Sequence, residues 1–149
     1  MESRFTIRAD APALHGALVG VTMALGESVL PARLRHLIDL RVSQINGCAY
    51  CTALHGDEAT REGETAERLA DLSGWAESDR FDPGERAAFA WAEALTGNRH
   101  DRIDDLHRDL QRHFDAGQIA ALTMAVAAIN AWNRIGIAQF REAAGRKAA

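Results

Sequence analysis

Residues 31–61 read PARLRHLIDLRVSQINGCAYCTALHGDEATR. Leu34, Leu37, Ile38, Val42 and Ile45 recur at helical spacing and form one apolar stripe. Pro31 suits a first helical turn. Asn46-Gly47 favours positive φ and ends the helix in a turn. A second helix then starts around Cys48 and runs to about Arg61, with Gly63 as its stop. The stretch reads as two helices, with Asn46-Gly47 able to fold one back on the other.

The same signals continue in both directions. Residues 12–27 predict a modestly apolar helix ending near Gly26, and Ala66 to Leu72 a short one. Asp82-Pro83-Gly84-Glu85 has the form of a capping box with Pro in the first turn, opening a helix to about Thr96. A short helix is expected from about Ile103 to Phe114. Asp115 then caps a long one through Arg141, whose Ile119, Leu122, Val126, Ile129, Trp132 and Ile135 mark it as central and mostly buried. Twenty-nine of the 149 residues are Ala, only 3 are Pro, and no run of alternating β-branched residues offers a strand. The fold class is therefore all-α. At this length, 47% hydrophobic and 26% charged, the chain is expected to be one domain over 1–149 with a core that needs no disulfide staples.

Composition also excludes function classes. Seventeen Lys+Arg against 21 Asp+Glu leave a net charge of −4, which denies nucleic acid a basic face. No stretch approaches the ~18–20 apolar residues of a membrane span, and Met1 to Gly16 lacks the regions of a signal peptide. A cytoplasmic, reducing location is expected. There, two cysteines are reactive or metal-binding more often than structural.

Those cysteines fall in Cys48-Ala49-Tyr50-Cys51-Thr52-Ala53-Leu54-His55, a C-x-x-C-x-x-x-H pattern just after the turn. Three residues apart at a helix start, Cys48 and Cys51 face the same way within the span a disulfide requires, where the positive end of the helix dipole stabilises a thiolate. The dipole favours Cys48. His55, one turn beyond Cys51 and about 10.5 Å along the axis from Cys48, favours Cys51. A positioned base decides a nucleophile more sharply than a shared dipole, so Cys51 is expected to attack and Cys48 to resolve. His36 and His55 come to similar heights if the helices fold back at Gly47, and could face one another. Equally, His36 could sit on a solvated edge beside Arg35 and Asp39. Two Cys and two His also make the ligand chemistry of tetrahedral zinc, although closure from these two helices is not assured.

The remaining candidates read as structural. His100, His107 and His113 lie on polar segments and are expected in solvent, while His15 has no evident partner. Trp75, Trp91 and Trp132 suit the core or a subunit contact. Arg134 and Glu93 could pair inside the bundle. Asp101 to Arg112 reads as an exposed helix face, and Arg141 to Ala149 as a frayed tail.

Residues 40–51, Leu-Arg-Val-Ser-Gln-Ile-Asn-Gly-Cys-Ala-Tyr-Cys, with His55 following, resemble the AhpD-like alkylhydroperoxidase branch of the carboxymuconolactone decarboxylase family. Glu85 to Trp91 and Ala128 to Arg134 resemble later segments of the same family. The resemblance implies an all-helical AhpD-like bundle that assembles as a trimer, hexamer or related homo-oligomer, with its redox core at about 31–63. It implies reduction of peroxides by a thiol pair, without a bound cofactor or metal, the disulfide being recycled by an external dithiol donor. Cys51 would be peroxidatic, Cys48 resolving and His55 the proton relay. His36 stands twelve residues before Cys48, where the family usually has a glutamate that orients the relay, so a slower enzyme or a shifted pH optimum is expected. Two other readings stand beside this one. They are a lactone decarboxylase, whose chemistry asks for no C-x-x-C pair, and a non-catalytic Cys2His2 metal-binding oligomer.

Overall fold

A computed structural model describes residues 2–141, and its hinge is the turn expected at Asn46-Gly47. The described residues hold eight α-helices and no strand: α1 Ile7–Asp10, α2 Pro12–Gly26, α3 Ala32–Asn46, α4 Ala49–Arg61, α5 Ala66–Asp71, α6 Pro83–Thr96, α7 Ile103–Leu110 and α8 Ala116–Gln139. Gly47 caps α3 in the left-handed region (φ 68°, ψ 26°), a conformation open to glycine and costly for residues with a Cβ, and α4 folds back along α3. Asp82 and Asp115 both close full capping boxes, with Glu85 and Gln118 as their reciprocal partners.

Three ends differ from expectation. The helix expected to reach Phe114 stops at Leu110, where bonds from Arg112 N to Asp109 O and His113 N to Leu110 O tighten the chain before the Asp115 cap. The last helix ends at Gln139 because Phe140 turns extended and bridges to Ser3. A 3-10 turn at Leu72–Glu77 continues α5 past Leu72, where the short helix was expected to end. The tail expected to fray lies outside the described residues, apart from an exposed Arg141.

The core sits where α3 crosses α6 and α8. Leu37, Ile38 and Val42 of α3 are fully enclosed, facing Ala88 and Phe89 of α6 and Leu122, Val126 and Ile129 of α8. Ile45, the last of the predicted stripe, is instead exposed at the helix end. Trp91 is buried with its Nε1 donating to Thr123 Oγ1 at 3.1 Å. The pairing expected between Arg134 and Glu93 does not form. Glu93 accepts from Arg41 and Trp75, both at 2.8 Å, while Arg134 folds back onto Asn130 of its own helix.

A buried ion network ties the end of the hairpin to the rest. The Glu64 side chain, fully enclosed, accepts from Arg33 of α3 and from Arg68 of α5 (2.7 Å), and Arg68 reaches on to Glu85 of α6 (2.5 Å). Burial works to raise the Glu64 pKa, but its bonds to Arg33 and Arg68 outweigh that and hold it below the ordinary glutamate value. Glu64→Gln should cost about 1–3 kcal/mol, since Arg68 keeps Glu85 but loses a charged acceptor in a partly dry site. A depressed folded-state pKa stabilises above the unfolded value of about 4.3 and is lost as pH falls through the folded value. Urea titrations should therefore show the gap between wild type and Glu64→Gln narrowing in acid, whereas a gap constant with pH would contradict the ionic account.

Candidate active site

A chain of amides around the buried Asn133 fixes the end of α3 just before the two cysteines. Asn133, fully enclosed on α8, accepts from Asn46 Nδ2 (2.9 Å) and donates to Ser43 Oγ (2.9 Å). Asn46 also donates to Asn130 Oδ1 (3.0 Å), and Asn130 in turn donates to Thr96 Oγ1 (3.0 Å). The enclosed Asn133 amide thus has a partner at both its oxygen and its nitrogen, which holds the seam. Gly47 then reverses the chain and leaves Cys48 as the N-cap of α4.

Cys48 and Cys51 are joined in a disulfide with Cα atoms 5.3 Å apart, inside the span expected from their spacing. The amide N–H of Cys51 donates to Cys48 Sγ at 3.3 Å, which would stabilise a thiolate on Cys48 once the bridge opens. Gly136 of α8 lies beneath both sulfurs. A Cβ there would come 3.1 Å from Cys48 Sγ and 3.2 Å from Cys51 Sγ, tighter than ordinary contact. Gly136→Ala should keep the fold, because Ala favours helix over Gly by up to ~1 kcal/mol. Displacing the sulfurs by a few tenths of an ångström should slow disulfide closure roughly 3- to 30-fold. Stopped-flow oxidation of the reduced variant measures this.

The histidines meet across the hairpin. His55 Nδ1 lies 2.7 Å from Glu58 Oε2, and His36 Nδ1 approaches the same oxygen at 3.4 Å. His36 is buried (8% exposed), so the solvated-edge alternative is excluded. Asp39, one turn beyond it, is buried too, with Arg35 Nη1 3.6 Å from its Oδ2. Burial first, and the Arg35 charge second, push the His36 pKa down and favour its neutral form. Burial lifts the Asp39 carboxyl to about 6, against the opposing pull of His55 and Arg35. Glu58 and Asp39 were not singled out from the sequence. The available signal was spacing, since each stands three residues after a histidine on a helix.

A cleft of about 610 Å3 opens over this cluster. One wall carries Cys51, His36, Asp39, His55 and Glu58; the other is apolar, with Val19 and Met23 of α2 and Ile129 and Trp132 of α8. Cys48 is not part of the wall. Trp132, expected in the core or at a subunit contact, lines the cleft, holds Thr22 Oγ1 through its Nε1 (2.9 Å) and packs edge-on against His15. His100, His107 and His113 are exposed and far from the site in sequence, as expected.

The sequence profile of the carboxymuconolactone decarboxylase family matches residues 12–94, more than half of the chain and all of the hairpin. The chain belongs to this family. It is 38% identical over 121 residues to the uncharacterized protein YdfG of Bacillus subtilis, covering 80% of this chain and 82% of YdfG. A crystal structure from Agrobacterium tumefaciens, of a protein of unknown function provisionally named as the antioxidant defence protein AhpD, superposes with a TM-score of 0.87 at 34% identity. That match covers 91% of this chain and 94% of the other. The debrominase Bmp8 shares the fold at 23% identity, with a TM-score of 0.78 over 93% of this chain and 76% of its own.

Proposed function

We propose that this protein is a thiol-dependent peroxidase of the AhpD-like type, in which Cys51 attacks the peroxide and Cys48 resolves. The observation that carries this reading is a Cys48–Cys51 pair whose Cys51 lines a cleft together with a histidine–carboxylate cluster. Lactone decarboxylation asks for no such pair. In the cycle, His55 accepts the Cys51 thiol proton. The thiolate attacks the terminal oxygen of ROOH; an S–O bond forms, the O–O bond breaks, and ROH leaves with the proton from His55. Cys48, its thiolate favoured by the Cys51 amide, then attacks the sulfenic sulfur, forming the disulfide and releasing water. The thiol pair loses two electrons and the peroxide gains them; an external dithiol donor restores the pair.

Glu58 stands in for the carboxylate that the family usually places at the position of His36. It accepts from His55 Nδ1, orients the ring and leaves Nε2 free to take a proton. His36, neutral in its buried setting, stands 3.4 Å from the same carboxylate without a hydrogen bond to it and brings no fixed charge of its own. A slower enzyme than glutamate-bearing relatives is consistent with that exchange, and His36→Glu should change the turnover or its pH profile.

The proposal includes self-association, as a trimer or hexamer, and a cytoplasmic location where dithiols recycle the bridge. Helix α2 supports the first: its fifteen residues carry no charge, yet Leu14 and Met23 are 72% and 68% exposed. No helix among the described residues is long and apolar enough to cross a membrane. The test is turnover of an alkyl hydroperoxide with dithiothreitol as donor, before and after iodoacetamide treatment of the reduced protein. Turnover that alkylation removes supports the reading, and turnover that survives complete alkylation overturns it.

A further inference from the structure

The cluster on the cleft wall has a second capacity that owes nothing to the sulfurs. One ligand atom from each of His36, Asp39 and His55 lies within 4.8 Å of the other two. The first two residues are buried and the third half-buried, so water competes weakly for them. Two imidazoles, borderline donors, with one hard carboxylate suit divalent first-row transition ions better than Ca2+ or Mg2+.

Two further observations point to a ligand. His36 Nδ1, on a residue more than nine-tenths buried, has no hydrogen-bond partner although it lies among these groups. Its 3.4 Å separation from Glu58 Oε2 is outside bonding geometry, and since Arg35 Nη2 donates to His36 Nε2 at 3.3 Å, capture of an ion at Nδ1 would move the ring proton to Nε2 and displace Arg35. His55 gives its Nδ1 to Glu58 at 2.7 Å, the carboxylate–histidine arrangement that fixes the tautomer and turns the Nε2 lone pair toward a metal. The Asp39 and Glu58 carboxylates on the cleft lining stand against the Arg35 and Arg8 guanidiniums, so charge alone does not select a cation there. Ligands at 2.0–2.2 Å from one ion lie about 3.4 Å apart, so closing on it asks for inward shifts on the order of 1 Å, within reach of side-chain rotation.

We propose that His36, Asp39 and His55 form a binding site for a divalent first-row transition ion, with Zn2+ as its representative and an open coordination position toward the cleft. Glu58 would be the outer carboxylate that orients His55. This ligand set replaces the Cys2His2 arrangement considered from the sequence, because the two sulfurs are joined to one another. It stands apart from the peroxidase reading, which can fail or hold without it. An ion here would occupy the His55 lone pair that the thiol relay needs.

The test uses the disulfide-oxidised protein and Zn2+, with stoichiometry from equilibrium dialysis and affinity from competition with a chromophoric chelator. Wild type and the Cys48→Ser/Cys51→Ser double variant are expected to bind about one equivalent with equal affinity. His36→Ala and Asp39→Asn should each weaken binding at least about 100-fold, and Glu58→Gln by 10- to 100-fold, the usual cost of losing an outer partner. Far-UV circular dichroism verifies that the variants fold, and His55→Gln serves as a second ligand variant if one does not. No binding by the oxidised wild type would overturn the proposal. So would binding that disappears with the cysteines, or that survives in folded His36→Ala and His55→Gln.

Discussion

Cys51→Ser should abolish peroxide consumption, lowering kcat/KM on the order of 1,000-fold or more, because the attacking atom itself is gone. The informative comparison is Cys48→Ser. That variant keeps the nucleophile, its helix-start position and the cleft, so it should consume one peroxide per chain and then stall as a Cys51 sulfenic acid. The asymmetry rests on the cleft, whose lining includes Cys51 and not Cys48, although both are buried. It is opposed by the Cys51 amide, which favours a thiolate on Cys48. Peroxide titration of both variants with a sulfenic-acid probe decides between the two effects. A single-turnover burst in Cys51→Ser and none in Cys48→Ser would reverse the assigned roles.

His55→Gln should cost about 100- to 10,000-fold in the rate of thiol oxidation near neutral pH, the usual range for removing a positioned general base. The deficit should narrow in alkaline buffer, where hydroxide removes the thiol proton without help. Glu58→Gln should lose less than His55→Gln, because it leaves the imidazole in place and removes only the carboxylate that orients it. Stopped-flow oxidation across pH measures all three proteins. Equal losses in both variants at every pH would mean that the cluster shapes the cleft rather than moving a proton.

The hairpin was legible because its signals are local. The stripe through Leu34, Leu37, Ile38 and Val42 needs only helical periodicity, the turn only Asn46-Gly47, and the two long capped helices only Asp82 with Glu85 and Asp115 with Gln118. The meeting of His36 and His55 followed from counting outward from Gly47, and the buried cluster at Glu58 bears that geometry out. What stayed hidden depends on contacts distant in sequence. Gly136 fits under the bridge from eighty-odd residues away, Asn133 reaches Ser43, and Glu93 takes Arg41 and Trp75 instead of Arg134. Helical periodicity says which face is apolar and is silent on which buried polar groups will find one another. Trp132 shows the same limit: an apolar stripe on α8 serves the core along most of its length and lines the cleft where α2 stands off from it.

The central claim is a dithiol cycle at Cys48 and Cys51, and the most direct measurement is one turnover watched by intact-mass spectrometry. Fully reduced, metal-free protein is mixed with a single equivalent of an alkyl hydroperoxide, and both the remaining peroxide and the mass of the chain are followed. The account predicts consumption of one peroxide per chain, a loss of two hydrogens, and a peptide map that places the new bond between Cys48 and Cys51. Both thiols remaining free with the peroxide unconsumed would contradict it.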